Sequence, residues 1–248
     1  MLQSTKDRFE NKLEISIACG DRNLQFHRWF PPKAGTIYEI NFCKDPKLPR
    51  HYICSMQNHH SLDQLTPEEL GKLFPIVIAP YDPAWPGFFR QEKETLQQLL
   101  GPELALRIEH FGSTAVPGLA AKPTIDILVE IPEGEAATGK IISEMTAAGY
   151  HFIPREDAPP PYPMFVKGYT PQGAATLTYH IHMAPAGHRG LWDRLLFRDY
   201  LIAHPEAAGE YEKLKRDLAE RFTYDRDAYT LAKTAFVRKL TNKATGKP

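Results

Sequence analysis

Apolar and polar residues alternate over Leu13, Ile15 and Ile17, with Glu14 and Ser16 between them, and Leu24 and Phe26 resume the alternation after a turn at Gly20-Asp21. A period of two predicts half-buried strands. Thr36 to Phe42 and His51 to Met56 predict two more, parted by Pro46 and Pro49. Residues 1–62 are therefore expected to form a small antiparallel β region, a meander of about four strands that either stands alone or extends the edge of the main sheet.

The period then changes. Thr66-Pro67-Glu68-Glu69 is a helix start, with Thr66 as cap, Pro67 in the first turn and Glu69 closing a capping box. This short helix, ending near Phe74, makes residues 63–75 a connector. Beyond Ile76-Val77-Ile78, Pro86 opens a longer helix whose stripe is Phe88, Phe89, Leu96, Leu99 and Leu100. Asp82 and Trp85 before it read as a turn aspartate and a core anchor rather than ligand contacts.

The centre of the chain is RIEHFGSTAVPGLAAKPTIDILVEI, from Arg107 to Ile131. A strand breaks into a Gly/Pro-rich loop and resumes as a β-branched strand with Asp126 as its one charged interior residue. A helix follows over 135–148, with Ile141, Ile142 and Met145 inward and Gly149 at its stop. Five prolines make 154–163 a stiff loop. Phe165–Tyr169 and Thr176–Met183 then predict a hairpin of the kind that supplies a sheet edge. Three helices close the chain, from Gly190, Pro205 and Asp225, and a polar tail over 241–248 is expected to fray. The class is α+β: a mixed sheet with flanking helices and a C-terminal helical segment.

Composition narrows the function more than the fold. Thirty basic and thirty acidic residues cancel, so no global field draws in nucleic acid. Cys19, Cys43 and Cys54 are odd in number and hold no C-x₂₋₄-C pair, which fits a reducing compartment and argues against a zinc site built from them. His51, His59 and His60 beside Cys54 read as surface or turn residues. With no apolar signal core at the start and no 18-residue apolar run, a cytoplasmic protein without a membrane partner is expected. Exposed sheet edges would allow a homodimer, unless a helix covers them.

The chemistry-bearing residues gather around the central loop. Gly112 leaves room for a phosphate near the backbone, Ser113 and Thr114 offer hydroxyls and amide donors, and Lys122 offers a positive charge. Asp126 is a hard oxygen ligand for Mg²⁺. His180 and His182, two apart, share a strand face and suit a metal, a proton or a phosphate. Glu109 and His110 face opposite ways, so only one of them reaches a pocket easily. Arg155 reads as a solvated loop residue, and Arg194 and Arg198 as partners of Asp193 or Asp199.

The segment GSTAVPGLAAKPTIDILV, followed by YHIHM and LLFRDYL, resembles the GrpB (UPF0157-like) family, which is similar in fold to the nucleotidyltransferase superfamily. The resemblance covers residues 76–240 and leaves the N-terminal extension unmatched. It implies a nucleotidyltransferase-like sheet, and the fusion of some members to dephospho-CoA kinase implies a nucleotide or cofactor connection. In nucleotidyltransferases a Gly-Ser loop holds the phosphates, while carboxylates spaced D-x-D on the next strand, with a third on a neighbouring strand, hold the metal. Gly112-Ser113 match the loop and Asp126 the first carboxylate, but the position two further on is Leu128.

The leading expectation is binding of a nucleoside triphosphate, a CoA-like molecule or another small phosphorylated ligand, extending to Mg²⁺-dependent nucleotidyl transfer. Gly112, Ser113, Thr114 and Lys122 would hold the ligand. Asp126, Lys122 and His182 would do the catalytic work, and Glu109, His180 or His182 would complete the metal shell around Asp126. Two alternatives stay open: a non-catalytic binding or scaffold protein that has lost the two-carboxylate clamp, and a metal-dependent hydrolase centred on Asp126, His180 and His182.

Overall fold

The computed structural model describes residues 65–156, 158, 160–170 and 173–246, together with the backbone of four short strands nearer the N-terminus. Two compact units divide the chain, Met1–Ser61 and Leu62–Pro248. In the first, β1 (Ser16–Cys19) pairs antiparallel with β2 (Arg22–Gln25), and β3 (Ile37–Glu39) with β4 (Gln57–His59). Among the described residues these are two separate two-stranded ladders, not one meander. The turn expected at Gly20-Asp21 lies outside the described residues. The strand expected over His51–Met56 lies outside the described residues, as do the side chains of the histidines and cysteines there.

The second unit opens with α1 (Pro67–Leu73). The capping box forms in full: Thr66 Oγ1 accepts the Glu69 amide at 3.2 Å, while the Glu69 carboxylate accepts the Thr66 amide at 2.8 Å. Before α2 (Trp85–Leu100), Asp82 Oδ1 accepts the Ala84 amide at 2.8 Å and Trp85 is buried edge-on to Tyr81. Asp82 and Trp85 therefore serve the turn and the core.

The main sheet has five strands in the order β5-β6-β9-β8-β7. These are β5 (Arg107–Phe111), β6 (Thr124–Glu130), β7 (His151–Arg155), β8 (Tyr162–Thr170) and β9 (Gly173–Ala184), with α3 (Glu135–Ala147) between β6 and β7. β6 and β9 run parallel and the other pairs antiparallel, so the sheet is mixed and the unit α+β. The hairpin of β8 and β9 does not supply the edge. Its second strand lies against β6 in the middle, because Ile181 and Met183 are as apolar as β6 itself and need cover on both sides. The edges are β5 and β7. Only the two ends of the proline-rich stretch that read as loop are strand, Pro154-Arg155 in β7 and Tyr162-Pro163 in β8; Pro154 faces Pro163, and an outermost strand tolerates a residue without an amide hydrogen.

The two faces of the sheet carry different layers. Ile108, Ile125, Ile127, Val129, Phe165 and Met183 pack under α2 and α3 against Leu96, Leu100, Ile141 and Met145. On the other face Phe111, Leu128, Met164 and Val166 meet Leu191 and Leu195 of α4 (Arg189–Ala203). α5 (Pro205–Arg221) and α6 (Arg226–Ala244) follow, and Tyr211 and Leu240 from them join Val116 and Leu119 of the central loop in a third cluster. α6 continues through residues 241–244, which were expected to fray; Thr241 back-bonds to the Val237 carbonyl at 2.9 Å and Lys243 favours the helix C-terminus. No helix among the described residues is long and apolar enough to cross a membrane.

Candidate functional site

The parallel pairing of β6 and β9 sets Asp126 against His180 and Leu128 against His182. Paired residues share a face, so the carboxylate and both imidazoles point to the α4 side, and one ligand atom from each lies within 4.8 Å of the others. Phe111, opposite Asp126 on β5, ends that strand. The chain then turns at Gly112, with φ 75° and ψ −175°, into one 3₁₀ turn over Ser113–Ala115. That backbone region is almost closed to other residues. A Cβ on Gly112 would also lie 2.9 Å from both Cβ and Cγ of Asp126. The room the sequence reserved for a phosphate first admits the carboxylate.

The predicted residues separate into those that reach this spot and those that do not. Thr114 is taken: its hydroxyl donates to the Thr124 carbonyl at 2.9 Å and meets His110 Nε2 at 3.1 Å, deep under the loop. His110, on the opposite face, is stacked on Phe89, and burial followed by the Arg198 charge lowers it to about 4. It stays neutral and structural. Glu109 stands apart from the group of Asp126, His180 and His182. Although it shares the face of Asp126, it lies beside Leu128 and is held by Arg107 at 2.9 Å and Arg198 at 3.4 Å. Arg198 also donates to the His110 carbonyl at 2.7 Å, which leaves Arg194 as the member of the α4 pair that faces the pocket. Arg155, at the end of β7 rather than in a solvated loop, lines it too.

Over Asp126 opens a cavity of about 1200 Å³. Its walls carry seven basic residues, Lys122, Arg155, Arg194, Lys215, Arg226, Lys233 and Arg238, against three acidic ones, Asp126, Asp193 and Asp227. A chain with no net charge thus concentrates positive charge in one pocket. Four of the seven stand on α5 and α6, which the sequence reading did not connect with the site. The signal was present: Arg226, Thr230, Lys233 and Val237 recur at helical spacing and form one stripe.

Burial governs the charges. It raises the Asp126 carboxyl and lowers the Lys122 ammonium, and each moderates the other. Burial likewise brings Lys233 down to about 8 and Lys215 to about 7. Lys215 is a clasp: its ammonium holds the Ala120 carbonyl, while Glu212 accepts the Ala120 amide at 3.0 Å. Lys122 and Lys233 instead flank the Tyr229 ring, 5.8 and 3.9 Å from its centroid, with no hydrogen bond or ion pair to another described residue. Neither is paired directly, and the Asp126 carboxylate is the negative charge that each of them feels.

Both histidines are neutral. Burial first, then the charges of Lys122, Arg226 and Arg155, lowers His180 to about 3; burial and Arg194 hold His182 well below its usual value. Tyr169 meets His180 Nε2 at 2.7 Å, Tyr162 meets His182 Nδ1 at 3.1 Å, and Arg226 donates to the Tyr169 phenol at 3.3 Å.

The GrpB protein family profile matches residues 75–243. The chain belongs to the GrpB family. A UPF0157 protein of Pseudomonas aeruginosa is 41% identical over 169 residues, covering 68% of this chain and 67% of that one. A dephospho-CoA kinase of Mycolicibacterium paratuberculosis is 32% identical, and there the match takes in 68% of this chain but only 46% of the kinase. Among solved structures, the conserved protein GrpB from Enterococcus faecalis superposes with TM-score 0.58 at 32% identity, over 68% of this chain and 98% of that one. The Cid1 poly(U) polymerase with MgGTP is more distant, at TM-score 0.44 and 18% identity over 62% of this chain and 50% of that one.

A magnesium clamp of the nucleotidyltransferase kind requires oxygen ligands. The residues of this GrpB-family site do not fit it. Leu128, fully buried, stands where the second carboxylate would be, Glu109 is engaged elsewhere, and the donors beside Asp126 are imidazoles.

Proposed function

We propose that this GrpB-family pocket binds a nucleotide or a nucleotide-like phosphorylated ligand. The observation that carries the reading is the pair of half-buried ammonium groups, Lys122 and Lys233, which line the same cavity as the Gly112-Ser113 turn, amid a basic excess, and make no hydrogen bond or ion pair with a described residue. A desolvated cation gains most from a group that is itself highly charged, and phosphate is the common biological anion of that kind. The volume suits a nucleotide or the nucleotide end of a CoA-like molecule. A relative bearing the name dephospho-CoA kinase supports the second choice.

The reading is of binding rather than of Mg²⁺-dependent nucleotidyl transfer, since one carboxylate cannot align the two ions that such transfer uses. Titration calorimetry with ATP, CTP and CoA, with and without Mg²⁺, tests it. At least one of the three is expected to bind, and Arg194→Gln with Lys233→Gln is expected to weaken it by roughly 10-fold or more per charge removed, the usual size of a charge-assisted hydrogen bond. Unchanged affinity in the double variant, or no binding of any of the three, would overturn the reading.

A further inference from the structure

We infer that Asp126, His180 and His182 form a site for a divalent transition metal, zinc or a similar imidazole-binding ion, at the floor of the cavity. The inference deepens the phosphorylated-ligand reading, because metal and phosphate would meet in one pocket, but its test stands without any ligand.

The first argument is distance. His180 Nδ1 lies 3.6 Å from Asp126 Oδ1, beyond a hydrogen bond. Two ligands about 2.1 Å from one tetrahedral ion are roughly 3.4 Å apart, so the separation is close to that of donors sharing a metal. The second is donor type. Two imidazoles and a carboxylate suit zinc or another imidazole-binding transition metal better than magnesium.

The third argument is what lies behind the ligands. A ligating histidine is usually held through its other ring nitrogen by an outer partner that fixes ring and tautomer. Here each ring has one: Tyr169 on Nε2 of His180 and Tyr162 on Nδ1 of His182. That leaves Nδ1 of His180 and Nε2 of His182 for the ion. The rings are also wedged by stacking, His180 on Tyr169 and His182 edge-on to Phe111.

The basic walls oppose a bare cation, and only Asp126 among the three ligands offsets its charge. An anion on Lys122 and Lys233 removes that opposition, so metal and phosphate should strengthen each other's binding.

The test is Co²⁺ titration of the chelator-stripped full chain, read by the visible bands of a nitrogen- and oxygen-ligated ion of low coordination number. One equivalent is expected, displaced by Zn²⁺ and not by excess Mg²⁺. Tyr162→Phe and Tyr169→Phe should weaken it about 10- to 100-fold, as loss of an outer partner does. His182→Ala should abolish the bands, while Glu109→Gln leaves them intact; circular dichroism confirms that each variant folds. Absent bands in wild type, bands that survive in folded His182→Ala, or displacement by Mg²⁺ would overturn the site. Inorganic phosphate then separates the two readings. Bands that strengthen with phosphate support both; bands that depend on His182 and ignore phosphate support the metal site and contradict the phosphate pocket.

Discussion

At the scale of single residues, Gly112 and Asp126 are one device. The backbone at Gly112 and the nearness of Asp126 both exclude a side chain there, so Gly112→Ala is expected to cost at least ~2 kcal/mol in chemical denaturation. Part of that cost is the clash alone. In an Asp126→Ala background the same substitution should cost clearly less, and equal costs would show that the two do not touch. Lys233 makes a prediction in pH. Burial has brought it down to about 8, so above that value much of it is neutral and binding of a phosphate must recruit a proton. Affinity should fall as pH rises from 7 to 9, and calorimetry near pH 8 in buffers of different ionisation heat should detect proton uptake.

The sequence made Asp126 and the two histidines visible because a charge or a paired imidazole within an apolar strand is conspicuous, and Lys122 because it stands in the loop just before that strand. It could not show that Thr114 spends its hydroxyl on Thr124, or that Arg198 reaches Glu109, because those partners lie on another strand and a helix.

At the scale of elements, the parallel contact of β6 and β9 creates the site, since it brings a carboxylate and an imidazole from positions 54 apart in the chain to one rung. Alternation identified both strands, but strand order is a matter of how apolar faces are shared, and the hairpin of β8 and β9 was read at the edge for that reason. β7 escaped because proline rarely belongs to a strand, and here it is tolerated at the rim. The helices were readable from caps and stripes, whereas the side of α6 that faces the pocket depends on packing.

The opposite face of the sheet offers a control. There the buried Glu92 accepts the Tyr150 hydroxyl at 2.5 Å and the Lys167 ammonium at 2.8 Å. Tyr150→Phe should destabilise the fold by about 1–3 kcal/mol, as does removing a partner from a buried carboxylate, yet leave ligand affinity as it was. A loss of affinity in a folded Tyr150→Phe protein would mean that the two faces are not independent. For α1, Thr66→Ala removes the cap and should cost about 1 kcal/mol, seen as faster amide exchange over Pro67–Leu73.

At the scale of the whole molecule, a chain of zero formal charge holds a basic pocket between a sheet and its C-terminal helices. The family profile begins at residue 75 and the described residues that line the cavity begin at Leu65, both within the second compact unit.

A crystal structure of the full chain with the best-binding of ATP, CTP and CoA tests the central claim most directly. The phosphates are predicted to lie at the Gly112-Ser113 turn, within hydrogen-bonding distance of Lys122 and Lys233. A ligand seated elsewhere, for instance in the smaller cavity between Val116 and Glu212, or phosphates turned away from both lysines, would contradict it.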